Sequence, residues 1–137
     1  MQILVRFAAV LGLLTVGCGE LGEPLERGLP IHDETVNGRS LWYPSGAAFD
    51  VVLEEEACAG LLWECELSDS AVIRIDSVTY KYEPLPPPRP VGGPSIKTIH
   101  FSTTRPGQCA VYLFEHQPWM KNVPPHRVLR FLVVVQP

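Results

Sequence analysis

From Ile31 onward the apolar residues of this chain alternate with polar ones or run in short blocks, and no long stretch repeats at the helical spacing. A period of two buries one face of a short strand and cannot present a helical stripe. Phe49-Asp50-Val51-Val52-Leu53 reads as one strand, entered through a turn at Pro44-Ser45-Gly46. Leu61 to Leu67 alternates, with Leu61, Trp63, Cys65 and Leu67 on one face. Val72 to Ile75 and Ser77 to Tyr82 read as two further strands. Ile96 to Ser102 places Ile99 and Phe101 together, and Cys109 to Phe114 places Cys109, Val111 and Leu113 together. Arg105-Pro106-Gly107 is a tight turn between these two, and Val128 to Val135 closes the chain with a β-branched run. The 14 prolines fit strands and loops better than helices. An all-β fold follows, an antiparallel β-sandwich of seven to eight strands with Trp63 as its buried aromatic.

The first stretch does not belong to that domain. Arg6 precedes an apolar run from Phe7 to Val16 that ends at Thr15-Val16-Gly17-Cys18. The run is shorter than the ~20 residues that cross a bilayer and has the form of a signal peptide. A small residue before a cysteine, after an apolar core, is similar to a bacterial lipobox, in which cleavage precedes the cysteine and the cysteine is lipidated. Residues 1–17 are therefore expected to be a lipoprotein-type signal peptide, and Cys18 the lipidated residue. Glu20 to Pro30, acidic and rich in Gly and Pro, reads as a tether. The division expected is 1–17 signal peptide, 18–30 tether and 31–137 domain. The protein is then exported to a bacterial cell envelope, anchored in a membrane or else periplasmic or secreted.

Charge and cysteines narrow the function classes. The chain carries a net charge of −4, and loss of Arg6 with the leader makes the domain more acidic. With no basic cluster it is not expected to bind nucleic acid. Cys58, Cys65 and Cys109 are an odd number for an oxidising compartment, so one disulfide and one thiol are expected. Cys58-x6-Cys65 is not a metal knuckle, and no histidine pair adds zinc-like spacing. His32, His100, His116 and His126 share no motif, and no catalytic triad can be drawn from spacing. Neither a metal, a cofactor nor a catalytic residue is expected. Glu83 to Pro90 (EPLPPPRP) reads as a stiff connector whose prolines keep a sheet edge from pairing, with a polyproline ligand as the other reading.

Three loops fall between strands that a sandwich brings to one end: Glu56-Ala57-Cys58-Ala59-Gly60, Val91-Gly92-Gly93 and Gln117-Pro118-Trp119. Their order and spacing resemble the chagasin-like inhibitors of papain-family cysteine proteases. That family carries Asn-Pro-Thr-Thr-Gly with a Trp three residues on, then Gly-x-Gly-Gly, then Arg-Pro-Trp. Gly60-Leu61-Leu62-Trp63 keeps the Gly-x-x-Trp signature, and Val36-Asn37-Gly38, Ser45-Gly46, Pro106-Gly107 and Ala110-Val111-x-Leu113 sit at family-like spacing. The resemblance covers nearly the whole domain and implies an immunoglobulin-like sandwich. It further implies a proteinaceous, non-enzymatic inhibitor, whose protein partner is a papain-like cysteine protease and which acts as a monomer. The protease-binding residues it implies are Ala57, Cys58, Ala59, Gly60, Trp63, Gly92, Gly93, Gln117, Pro118 and Trp119, with Trp119 as anchor.

The departures sit in the loops. The first loop retains only its glycine, Pro90 stands where the first glycine of Gly-x-Gly-Gly would be, and Gln117 replaces arginine. Loss of asparagine and both threonines removes local side-chain-to-backbone bonds. Glu54-Glu55-Glu56 reads as a solvated strand end. In this fold Cys65 and Cys109 lie inward on paired strands, which makes them the disulfide expected, with Cys58–Cys65 as the other pairing. A non-inhibitory immunoglobulin-like binding module of the envelope is the competing reading of the same scaffold.

Overall fold

The computed structural model describes residues 29–82 and 94–137. Eight strands follow one another: β1 (Ile31–His32), β2 (Ser40–Pro44), β3 (Ala48–Glu55), β4 (Leu62–Leu67), β5 (Ile73–Tyr82), β6 (Ser95–Thr103), β7 (Gly107–His116) and β8 (Arg127–Gln136). They form two four-stranded sheets, ordered β1-β3-β6-β5 and β2-β8-β7-β4. The expected Cys18 anchor, residues 1–28, the proline-rich connector and Gly92-Gly93 lie outside the described residues.

The alternation places side chains as expected. Phe49, Val51 and Leu53 of β3 and Ile99 and Phe101 of β6 face Cys109, Val111 and Leu113 of β7 and Phe131, Val133 and Val135 of β8 across a closed core. Tyr43, Phe49 and Phe101 stack in series, with centroids 4.8 Å and 5.0 Å apart. Burying side chains of this size contributes about 1.5–3 kcal/mol each.

Three features differ from the sequence reading. Ile73 to Ile75 and Ser77 to Tyr82 belong to one strand, β5, whose register against β6 shifts between Ile75 and Ser77, while Val72 lies in the turn before it. The extra residue is Asp76, which turns outward to hold Arg74 Nε at 2.8 Å and to accept from Ser102 Oγ at 3.0 Å. A bulge stabilised in this way continues the strand and does not end it. The sheets are also not wholly antiparallel, since β1 pairs with β3 and β2 with β8 in parallel. Asn37 and Gly38 fix the approach to the second of these pairings. Asn37 Oδ1 accepts from Arg130 N at 2.9 Å, and Gly38, at φ +78°, donates its N–H to Arg130 O at 2.7 Å.

The expected disulfide between Cys65 and Cys109 is not formed. The strands do pair, but Cys65 stands opposite Leu113, four positions along β7 from Cys109. That is about 13 Å at ~3.3 Å per residue, against the ~7 Å that bridging tolerates. Burial pushes the Cys65 thiol up to about 12. Cys109 Sγ accepts from Ser68 Oγ at 3.8 Å. The alternative pairing of Cys58 with Cys65 is not formed either.

Candidate functional site: three loop roots at one end of the sandwich

The topology gathers the three sequence loops. β3 ends and β6 begins at the Glu55–Ser95 pair, and β5 ends at Tyr82, opposite the same Ser95. In the other sheet β4 begins at Leu62 opposite His116, where β7 ends, and β8 begins at Arg127 opposite Glu115. The first loop (residues 56–61) and the third (117–126) therefore leave from one end, where β5 stops and β6 begins.

Backbone bonds replace the side-chain bonds missing from the first loop. Ala57–Ala59 form a 3-10 turn capped by Gly60 in the left-handed conformation, at φ +76°. Glu56 O accepts from Ala59 N at 3.0 Å and from Leu61 N at 3.2 Å, and Ala57 O from Gly60 N at 2.9 Å. Cys58 is exposed at the tip of this turn.

The third loop closes onto the first. Gln117 Nε2 donates to Ala59 O at 2.9 Å. The Trp119 indole brings its Cη2 edge against Gly60, where an added Cβ would stand 1.9 Å from Cη2. Only glycine allows that approach. Trp119 is otherwise largely open, 64% exposed, with Met120 and Val123 exposed nearby in the chain. A hollow of about 160 Å³ lies beside this junction, lined by Leu61, His116, Gln117, Met120, Val123, Pro124 and His126. His116 Nε2 sits 3.1 Å from Glu64 Oε2 at its edge, out of line for a hydrogen bond.

Beneath the loops lies a polar base that the sequence reading missed. Glu55 is 1% exposed and not part of a solvated strand end. Its Oε2 accepts from Trp63 N at 2.9 Å and stands 3.5 Å from Lys97 Nζ, which also donates to Trp63 O. Trp63 Nε1 donates to Glu54 O at 3.0 Å. Glu115, also 1% exposed, accepts from Arg127 Nε and Nη2 at 3.0 and 2.9 Å. Arg127 Nη1 reaches Glu34 at 2.7 Å, and the guanidinium lies 5.1 Å above the Trp63 ring. The bonds to Glu115 raise the Arg127 pKa, with burial opposing.

Trp63 therefore does not contact a partner as expected. It is 1% exposed and anchors the root of the first loop from inside. The signal for the two carboxylates was present in the alternation. Phe49, Val51 and Leu53 lead at the same parity to Glu55, and Cys109, Val111 and Leu113 lead to Glu115. Among the described residues no cluster of His, Cys, Asp and Glu could hold a metal. The site offers a partly apolar edge, with Trp119, Met120 and Val123 exposed.

The comparisons with known proteins agree with this geometry. Residues 43–134 match the family described as Chagasin family peptidase inhibitor I42. Among solved structures, the cysteine protease inhibitor EhICP2 of Entamoeba histolytica superposes with a TM-score of 0.71 at 26% identity, over 79% of this chain and 96% of that one. Amebosin superposes with a TM-score of 0.64 at 18% identity, over 79% of this chain and 98% of that one, which shows the shared fold. No curated protein gives a significant match. With its eight-stranded sandwich and its match across most of the domain, the chain belongs to the chagasin family of peptidase inhibitors.

Proposed function

We propose that this protein inhibits papain-like cysteine proteases by steric occlusion, laying the first and third loops across the catalytic cleft with the second beside them. The observation that carries this is the exposed Trp119 ring, its edge held on Gly60 at the loop end that the Glu55 and Glu115 ion pairs support. A loop pair already closed in the unbound state loses little conformational freedom on docking. Gln117 replaces an arginine of the family, so the third loop contributes apolar area without the family's charge. Titration of papain and related enzymes with the purified protein tests the reading. Inhibition constants between nanomolar and micromolar support it, and full protease activity at high micromolar protein overturns it in favour of a non-inhibitory binding module.

The same reading places the protein outside the cytoplasm as a monomer. Residues 1–17 direct export, Cys18 carries the lipid and residues 18–30 tether the domain to the membrane. The support is the sequence pattern of Arg6, the apolar run and Gly17-Cys18. Labelling with radioactive fatty acid, lost in Cys18→Ser, tests the anchor. Gel filtration of the unlipidated domain tests the monomer.

A further inference from the structure

We infer that Gln117 is a positioning residue, whose side-chain amide locks the first loop to the third so that the two dock as one wedge. This inference rests on the inhibitor reading above. It assigns to Gln117 a role that loss of the family's arginine had seemed to remove. Three observations converge on it. Ala57 and Ala59, on either side of the tip of the first loop, carry no side-chain donor or acceptor to shape it from within. The carbonyl of Ala59, at the end of its turn, takes its side-chain bond from the opposite loop, through Gln117 Nε2 at 2.9 Å. One residue further on, Gly60 meets the Trp119 ring at a separation that no Cβ could share. The first loop is thus held from outside at two successive residues.

Packing beneath the junction does not substitute for these contacts. The hollow of about 160 Å³ beside the junction is lined by Gln117 and Leu61, so that side of the loops lacks the dense support of a protein interior. A hydrogen bond and a ring contact thus join the two loops. Gln117 has a chemical requirement that a spacer lacks: Ala59 O is an acceptor, so residue 117 must present a donor at the length of a glutamine. Glutamate has the same shape and no donor. Arginine has donors at comparable reach. Trp119, in turn, meets Gly60 with its edge and leaves much of its ring exposed for the protease.

The test uses the purified protein, its Gln117→Glu, Gln117→Arg and Gly60→Ala variants, and two readouts. The first is amide hydrogen exchange of residues 59–61 in the unbound protein. The second is the inhibition constant against papain, resolved into association and dissociation rates. Gln117→Glu is expected to speed exchange in the first loop and to weaken inhibition about fivefold to tenfold, in line with one hydrogen bond. The thermal midpoint should change little, since the lock lies outside the core. Gln117→Arg is expected to restore slow exchange. Gly60→Ala should displace Trp119 and weaken inhibition with Gln117 intact. Exchange in Gln117→Glu equal to wild type overturns the lock. Faster exchange with unchanged inhibition overturns its role in docking. A wild-type protein that fails to inhibit rejects the proposed function, and the exchange rates then decide the lock by themselves.

Discussion

Arg127 lies across the face of Trp63 and grips Glu115 with two of its nitrogens, at 3.0 and 2.9 Å, beneath the loop end of the sandwich. The carboxylate is buried, while the guanidinium side chain keeps 38% of its exposure. The pair joins the start of β8 to the end of β7, and through Glu34 it also holds the turn after β1. Loop position at this end thus depends on a charge placed inside the protein.

Arg127→Leu leaves Glu115 buried and uncompensated. Broken buried pairs cost up to about 3–5 kcal/mol, and partial exposure of Arg127 brings the expected loss to about 2 kcal/mol. Glu115→Gln added to Arg127→Leu should recover part of that loss by removing the stranded charge. Urea denaturation of the single and double variants measures both. A double variant no more stable than the single one rejects this account.

Glu55→Leu removes the partner of Lys97 and the acceptor of Trp63 N together. Both groups are buried, so a loss of about 3 kcal/mol is expected. The emission of the three tryptophans should shift to the red as water reaches Trp63. Unchanged stability and emission would show that Glu55 only occupies space.

Burial lowers the His32 pKa from its ordinary 6.5, with Asp33 opposing. The ring lies 2.6 Å from the Tyr43 hydroxyl and edge-on to Phe49. Between the folded value and 6.5 the unfolded chain holds more protons, so stability rises with pH in that window. The contribution is complete above 6.5 and is lost as pH falls through the folded value. His32→Gln should flatten the fall in denaturation midpoint between about pH 7.5 and pH 5.5 relative to wild type. Parallel pH profiles for the two proteins would contradict it.

Cys65, its thiol raised to about 12 by burial, should resist iodoacetamide in the native protein at pH 8, since the thiolate is the nucleophile. Buried Cys109 should resist with it. Both should label in denaturant without a reductant, as peptide mass mapping can show. A requirement for reductant would restore the disulfide that the register excludes.

The strands and their inward faces were legible because alternation is local: Ile99 with Phe101, and Cys109 with Val111 and Leu113, need only their own neighbours. The same parity reached Glu55 and Glu115. A carboxylate at a strand end ordinarily marks the return to solvent, and the partners that bury these two come from elsewhere in the chain. The bulge at Asp76 was illegible for a related reason, since Arg74 lies on its own strand and Ser102 on the next. The disulfide expectation failed on register, which decides whether two inward cysteines on paired strands meet.

By itself the sequence determined a β-sandwich of seven to eight strands, a core with Trp63 inside, and three loops whose order and spacing resemble one inhibitor family. Tertiary structure alone decided how those loops are held. Ala59 and Gln117 stand 58 residues apart, Glu55 and Lys97 meet across two strands of one sheet, and Trp119 finds the one residue in the first loop without a Cβ. Periodicity follows from the geometry of a single strand, whereas these contacts follow from register and strand order, and no local pattern encodes either.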